Sequence, residues 1–146
     1  MITLPEDFKE FFNILNSNEV EYLLVGGYAV AFYGYIRATN DIDIWINIKP
    51  ENVEKVIKSL ICFGFLESQL DREAFKKKDQ VIRMGVPPLR LELLTGISGV
   101  NFEDCYRDRV VETIDGLEIS ILDIANLKKN KKASGRLKDL LDLENL

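Results

Sequence analysis

Two aspartates separated by one residue are the clearest chemical feature of the sequence. Asp41 and Asp43 open the run 41–48, in which isoleucines alternate with other residues. This alternation predicts a β-strand, and positions i and i+2 of a strand project from the same face. Two carboxylates held so close repel each other unless a cation lies between them. A hard, oxygen-liganded ion suits the pair, with Mg²⁺ as the first expectation and Mn²⁺ as the second.

A third acid, Glu92, lies in a second predicted strand. It interrupts the leucine-rich run 89–94, on the face opposite the leucines. Catalysis at phosphorus often uses a third carboxylate from a neighbouring strand, which is the functional interpretation of Glu92. The structural interpretation is a salt bridge to Arg90, two residues away on the same face. Both interpretations stay open from the sequence.

A pair of glycines, Gly26 and Gly27, follows a predicted buried strand at 22–25 and precedes a predicted helix. Because glycine has no Cβ, backbone N–H groups at such a turn can approach phosphate oxygens closely. The alternative is that the glycines serve only the packing of the strand–helix turn.

Together these features resemble the nucleotidyltransferase superfamily, which has the DNA-polymerase-beta-like fold. Its signature is a hydrophobic residue, Gly, Gly or Ser, a spacer, and then Asp-hydrophobic-Asp/Glu-hydrophobic. The sequence has Val-Gly-Gly at 25–27, a spacer at 28–40 and Asp-Ile-Asp-Ile at 41–44. The segment 37–43 is similar to small prokaryotic nucleotidyltransferases, including abortive-infection-type toxin enzymes. The lysine-rich segment 121–140 resembles their C-terminal regions.

The resemblance implies a role for each acid and glycine. Asp41 and Asp43 would coordinate Mg²⁺ and the triphosphate, and Gly26 and Gly27 would contact phosphate through their backbone. Glu92 would be the third metal-binding carboxylate and would activate the acceptor hydroxyl. Two residues depart from the family pattern. The third acid is usually Asp, and Gly27 stands where the family often has Ser.

Composition excludes several other chemistries. The 146 residues are 47% hydrophobic and 29% charged, with a net charge of −5, two cysteines and no histidine. The absence of histidine excludes Ser-His-Asp and Cys-His nucleophiles and histidine zinc ligands. We expect Cys62 and Cys105 to be reduced thiols, packed as small apolar groups in a cytoplasmic protein. Phosphoryl chemistry suits such a chain because it needs positioning and charge neutralisation more than a nucleophilic side chain.

Several cationic and polar residues could hold a nucleotide. Arg37 and Thr39 precede the aspartates and would contact the triphosphate. Alternatively, Arg37 pairs with the aspartates and Thr39 is a turn residue. In the basic stretch 128–138, Lys132 and Arg136 are the candidates to clamp phosphates or an RNA end. The alternative there is a solvated helix face.

Four aromatic residues could stack on a base, although aromatic residues in a small domain usually belong to the core. The candidates are Tyr28, Tyr33, Tyr35 and Trp45. Trp45 lies on the acid-bearing face of its predicted strand, and Tyr28 follows the glycine pair.

The pattern of elements predicts an α/β or α+β fold with a small mixed sheet flanked by helices. We expect one domain over residues 1–146, with a core at about 1–121 and a helical part at about 122–146. A tight hairpin is predicted around Asp115-Gly116. No membrane segment is expected, because the longest uncharged stretch, 22–36, is shorter than the ~20 residues that a span needs.

The sequence thus predicts a Mg²⁺-dependent nucleotidyltransferase that uses a nucleoside triphosphate. The acceptor is open between a small molecule, a transfer-RNA end and a protein hydroxyl, and a homodimer or a small partner protein is a further expectation. The alternative is a non-catalytic domain that keeps the fold and binds a nucleotide or a partner, as in a toxin–antitoxin pair.

Overall fold

The computed structural model describes residues 4–36, 41–86 and 89–146, which contain six α-helices, two short 3-10 helices (Glu67–Gln69 and Ala74–Lys76) and six strands. None of the helices in these segments is long and apolar enough to cross a membrane. The α-helices are α1 (Glu6–Ser17), α2 (Gly26–Phe32), α3 (Pro50–Phe63), α4 (Phe102–Arg107), α5 (Ile124–Ser134) and α6 (Leu137–Glu144). The strands are β1 (Tyr22–Val25), β2 (Asp41–Ile46), β3 (Val81–Val86), β4 (Leu89–Leu94), β5 (Val110–Ile114) and β6 (Leu117–Ile121).

The strands form one mixed sheet in the order β3-β4-β2-β1-β6-β5. Strand β2 is antiparallel to β1 and parallel to β4, and β1 is parallel to β6. The outer pairs, β3–β4 and β5–β6, are antiparallel. This mixed α/β architecture confirms the predicted fold class.

The alternation of β2 explains how the sheet presents its acids. Ile42 and Ile44 are fully buried, and their neighbours in the β4 register are Leu91 and Leu93, which are also buried. Helix α1 adds an apolar face to the same core through Phe8, Phe11, Phe12 and Leu15. Because paired residues of neighbouring strands share a face, the polar positions of β2 and β4 project together from the opposite side.

The β5–β6 hairpin has the predicted turn. Asp115 has a φ of 52° and Gly116 a φ of 80°, as a two-residue turn with two positive φ angles requires. Strand β2 ends at Ile46, two residues before the end of the alternating run. There the backbone oxygen of Asn47 accepts a hydrogen bond from Asn52 Nδ2 at 2.7 Å, outside the strand ladder.

The prediction that both cysteines are packed as small apolar groups was wrong for one of them. Cys105 is buried as expected, whereas Cys62 is exposed on α3. The buried residue Leu60 lies two positions earlier, which is about 200° around the helix axis, so Cys62 turns to solvent. The charged segment 71–78 is mostly exposed, but it inserts the fully buried Phe75 into the core.

Helix α6 buries an unusual face. Its buried side chains are Asp139 and Asp142, whereas Leu137 is 76% exposed and Leu141 is 48% exposed. These acids face α5, where both contact Lys131. Polar contacts therefore join α5 and α6. Helix α5 itself begins after the N-cap Asp123, whose carboxylate accepts a hydrogen bond from Asn126 N.

Candidate active site

The register of β2 and β4 brings the three predicted acids onto one face of the sheet. Asp43 lies beside Glu92 and Asp41 lies beside Arg90 in the parallel ladder. The Glu92 carboxyl is among the causes of the pKa shifts of both aspartates, so it lies within interaction distance of each of them. The sequence expectation that a carboxylate of a neighbouring strand would join the Asp-x-Asp pair therefore has a structural counterpart.

Asp43 is the most buried of these acids, and no Lys or Arg of the described residues forms an ion pair with it. Its Oδ1 atom is buried and has no hydrogen-bond partner among the described residues. Burial and the neighbouring Glu92 raise the pKa of Asp43 to about 8, although the charge of Lys138 acts in the opposite direction. With this raised pKa, the Asp43 carboxyl is mostly protonated near neutral pH. A cation at this position would instead stabilise the ionised form.

Asp41 has a different environment. The Arg90 guanidinium donates two hydrogen bonds to it, from Nε to Oδ1 at 3.1 Å and from Nη2 to Oδ2 at 2.8 Å. These hydrogen bonds lower the pKa of Asp41. Asp41 is therefore ionised and held by a side chain of the neighbouring strand.

Glu92 forms an ion pair with a residue of a third strand, β3. Arg83 lies directly opposite it in the β3–β4 ladder, and Arg83 Nε donates to Glu92 Oε1 at 2.9 Å. The structural interpretation of Glu92 thus needs a correction, because the salt bridge is to Arg83 while Arg90 binds Asp41. The antiparallel pairing of two strands joined at Pro87-Pro88 could have indicated this partner from the sequence.

The acids fit a divalent cation in part. Within residues 4–36, 41–86 and 89–146, no group of three His, Cys, Asp or Glu side chains is arranged to hold a metal ion. Asp43 and Glu92 are adjacent, and the buried Asp43 Oδ1 lacks a partner in the described structure. These two acids suit a hard cation, whereas both oxygens of Asp41 bind Arg90.

Gly26 makes room for Asp43. Its φ is 69°, and a Cβ at this position would clash with Asp43 Oδ2. Glycine is therefore required here both by the backbone conformation and by the neighbouring carboxylate. The sequence interpretation had assigned the glycine pair only to phosphate contact or turn packing. Gly26 and Gly27 do line a cleft, so close approach of a ligand to their backbone is sterically possible.

The cleft has a volume of about 340 Å³ and lies between the sheet acids and the C-terminal helices. Its sheet side includes Asp43, Glu92 and Arg83. The lining also includes Gly96, Ile97 and Ser98, which follow β4, and Asn130, Lys131, Ser134, Arg136, Lys138 and Asp139 of the C-terminal helical part. We call Asp43 and Glu92 the acidic wall of the cleft, and Lys131, Arg136 and Lys138 its cationic wall.

The cationic wall is built on a buried ion cluster. Lys131 Nζ lies 2.9 Å from Asp139 Oδ1 and 3.1 Å from Asp142 Oδ2. Asp139 also accepts hydrogen bonds from Ser134 Oγ and from Arg136 Nε. Burial alone would raise the pKa of Asp139, but the bonds from Ser134, Lys131 and Arg136 outweigh it and lower that pKa to about 2. The Lys131 ammonium group therefore forms ion pairs with both acids.

Arg136 and Lys138 are the cations most open to a ligand. The Arg136 side chain is 75% exposed, and its bond to Asp139 uses Nε. Lys138 is exposed, lines the cleft and lies close enough to lower the pKa of Asp43. Arg136 therefore lines the cleft, and its predicted contact with phosphate stays a prediction; Lys138 lies in the predicted basic stretch but is not one of its predicted phosphate-binding residues.

The predicted nucleotide-binding residue Lys132 is not among the described residues of the cleft wall. Lys132 is exposed and outside the described lining, where its neighbour Lys131 is found instead. The difference arises because adjacent helix positions point about 100° apart. Arg37 and Thr39 lie outside the described residues.

The aromatic candidates belong to the core. Tyr28 packs edge-on against Phe8 with ring centroids 5.9 Å apart, and Trp45 is buried against Phe102 at 5.1 Å. Tyr33 donates a hydrogen bond to the backbone oxygen of Leu122, and Tyr35 is half-buried. No aromatic side chain is among the described residues of the cleft wall, so base stacking has no support there.

No protein-family model and no curated protein matches this chain. Solved structures do match it. A Thermotoga maritima protein, provisionally assigned as a nucleotidyltransferase, superposes with a TM-score of 0.63 at 14% identity, over 94% of this chain and 88% of that one. An antigenic nucleotidyltransferase-like protein from Paracoccidioides brasiliensis gives a TM-score of 0.55 at 14% identity, over 93% of this chain and 71% of that one. The chain therefore shares the fold of these nucleotidyltransferase-like structures.

Proposed function

We propose that the protein is a metal-dependent nucleotidyltransferase. The observation that carries the proposal is the buried, unpartnered Oδ1 of Asp43 beside Glu92, in a cleft whose other wall carries cations. An acid in this state is stabilised by a divalent cation, and a cationic wall suits a triphosphate. The shared fold supports the same class of reaction.

Asp43 and Glu92 would hold Mg²⁺ or Mn²⁺, with Asp41 as an additional ligand once Arg90 releases it. The bound cation would neutralise negative charge on the triphosphate. The exposed side chains of Arg136 and Lys138 would contact the phosphates, and Gly26 and Gly27 would admit them close to the backbone.

In the reaction, an acceptor oxygen attacks the α-phosphorus of the nucleoside triphosphate. A new P–O bond forms, the bond to the bridging oxygen breaks, and pyrophosphate leaves. Glu92 would take the proton of an acceptor hydroxyl. The residues of the cleft would act by holding the reactants in line and by balancing charge, which suits a chain that lacks histidine.

The test is label transfer from α-labelled nucleoside triphosphates to components of a cell extract in the presence of Mg²⁺. Wild type should transfer label, and the double variant Asp41→Asn, Asp43→Asn should not. Glu112→Gln, an exposed acid on β5, is the matched control and should behave as wild type. A wild-type protein that neither transfers label nor binds any nucleotide with Mg²⁺ would contradict the proposal.

A second candidate is a non-catalytic domain that keeps the fold. The observation that favours it is that Asp41 and Glu92 are both paired with arginines, and no three-ligand arrangement exists in the described part of the chain. Such a domain would bind a nucleotide or a partner protein, as in a toxin–antitoxin pair. Calorimetry identifies a domain that binds only a protein, because such a domain should show no Mg²⁺-linked nucleotide affinity. Label transfer identifies a domain that binds a nucleotide without catalysis, because such a domain should transfer no label.

The charge of the cleft indicates the chemical class of the acceptor but not its identity. Its cationic wall suits an acceptor that itself carries phosphate, so the end of an RNA is one candidate, with small hydroxylated molecules and protein hydroxyls as the others. Unlabelled candidate acceptors that compete with label transfer would identify the class. A cytoplasmic location is part of the proposal, because the free thiols Cys62 and Cys105 suit a reducing compartment.

A further inference from the structure

Two guanidinium groups already pair with two of the three acids of the candidate metal site. Arg90 binds both oxygens of Asp41, and Arg83 binds one oxygen of Glu92. The two pairs differ in how well they are held. Arg83 is 62% exposed, whereas the side chains of Arg90 and Asp41 are 34% and 25% exposed.

The Arg90–Asp41 pair is built into the sheet. The two residues are direct neighbours in the parallel β2–β4 ladder, so the backbone register sets their separation. The guanidinium donates two bonds, at 3.1 Å and 2.8 Å, in the fork-like geometry that makes arginine–carboxylate pairs strong. A cation that used an Asp41 oxygen as ligand would have to displace at least one of these bonds.

We propose that Arg90 is a built-in competitor of the divalent cation at Asp41. In the metal-free protein Arg90 binds both oxygens of Asp41, so that only Asp43 and Glu92 receive the ion at first. Asp41 becomes a ligand only after Arg90 swings away, which the partial exposure of both side chains permits. The inference rests on the proposed metal-dependent function and adds a positioning residue to it.

The predicted consequence is that removal of Arg90 tightens metal binding. Arg90→Ala should lower the dissociation constant for Mn²⁺, measured on the full chain by the electron paramagnetic resonance of free Mn²⁺ and without nucleotide, about tenfold or more. Arg90→Lys, which keeps the charge but loses the fork, should lie between Arg90→Ala and wild type.

Two controls separate this effect from a general change of charge. Arg72→Ala removes another arginine with two bonds to a carboxylate, that of Glu54, outside the described lining of the cleft, and should leave Mn²⁺ affinity unchanged. In an Asp41→Asn background, Arg90→Ala should no longer tighten binding. Equal tightening with and without Asp41 would overturn the inference, because it would show an effect of net charge.

A measurement on the wild type covers the case in which the variants do not fold. Saturation with Mg²⁺ should shift the Nε–H resonance of Arg90 in ¹⁵N NMR spectra, while the Arg72 resonance stays in place. An unmoved Arg90 resonance in a protein that binds metal overturns this inference and leaves the proposed function intact. Failure to bind Mn²⁺ in every variant, with or without nucleotide, overturns both.

Discussion

The protein contains two groups of partly or fully buried acids with opposite electrostatics. The sheet acids are Asp41, Asp43 and Glu92, and the helix acids are Asp139 and Asp142. Lys131 lies within 3.1 Å of both helix acids, and the pKa of Asp139 falls to about 2. Asp43 is the most buried sheet acid, no lysine or arginine in the described part of the chain forms an ion pair with it, and its pKa rises to about 8.

The difference shows which cluster is structural and which is open to a ligand. A buried acid with a cation of its own chain is satisfied by folding, and removal of that cation leaves buried charge. Asp43 instead keeps an unpartnered oxygen within the described structure, so folding leaves it poorly satisfied. An external cation can supply what the chain does not.

The largest expected effect is on the helix acids. Lys131→Met should destabilise the protein by about 3–5 kcal/mol, because it leaves Asp139 and Asp142 buried without their shared cation. The free energy of unfolding from urea denaturation at neutral pH measures this. Lys132→Met, at the adjacent exposed position, should change it by no more than about 0.5 kcal/mol. Equal losses for the two variants would show that the ion cluster contributes nothing.

The second effect is a pH dependence of opposite sign in the two clusters. The pKa of Asp43 in the folded protein lies above its ordinary value of 3.8, so the folded state holds a proton that the unfolded state has lost. The free energy of unfolding should therefore fall between pH 4 and pH 8, by at most about 1.4 kcal/mol per pH unit. Asp43→Asn should remove this decline, and urea denaturation from pH 3 to pH 9 measures it.

Asp139 supplies the contrast. Its pKa in the folded protein is lowered, so its contribution is present above pH 4 and is lost as the pH falls toward about 2. Asp139→Asn should therefore lower the free energy of unfolding above pH 4 and remove the fall on the acid side, and it should leave the slope between pH 4 and pH 8 unchanged. A wild-type profile that is flat between pH 4 and pH 8, and equal to that of Asp43→Asn, would contradict the assignment of the raised pKa to Asp43.

Strand periodicity revealed most of the sheet and its acids in advance. The alternation of β2 placed Asp41 and Asp43 on one face, and the leucines of β4 placed Glu92 opposite the core. These inferences succeeded because a strand has a period of two and because its apolar face must be buried. The Asp115-Gly116 hairpin was equally clear, since its turn demands residues that tolerate positive φ.

The cationic wall was harder to predict because it depends on tertiary contacts. A lysine-rich helix normally exposes its lysines, so nothing local indicated that Lys131 is buried while Lys132 is exposed. In the same way, the leucines of α6 suggest a core-facing helix, although its acids face α5. The choice of Arg83 for Glu92 and Arg90 for Asp41 required the register of three strands.

A smaller effect tests the role of Gly26. Gly26→Ala should cost about 2 kcal/mol or more, since it adds both a positive-φ strain of about 1–2 kcal/mol and a clash with Asp43. Gly135→Ala is a matched control, because its φ of 66° is nearly the same as the 69° of Gly26 and a Cβ there meets nothing within 4 Å. The difference between the two variants in thermal or urea unfolding isolates the clash.

A double-mutant cycle with Asp43→Ala sharpens this result. The Asp43 carboxylate is absent in that background, so Gly26→Ala should cost less there, with a coupling energy of about 0.5–3 kcal/mol. Additive losses would mean that the Asp43 carboxylate contributes nothing to the cost of Gly26→Ala.

The smallest expected effect connects the two walls of the cleft. The charge of Lys138 lowers the pKa of Asp43, so Lys138→Gln should raise that pKa further, by less than about one unit because Lys138 is exposed and screened by solvent. Titration of the Asp43 carboxyl carbon by ¹³C NMR measures the shift, and Lys132→Gln should produce none. If both variants shift the pKa equally, Asp43 responds to net charge and Lys138 has no particular proximity to it. A shift confined to Lys138→Gln would place an exposed cation of α6 within electrostatic reach of the acid that most needs one.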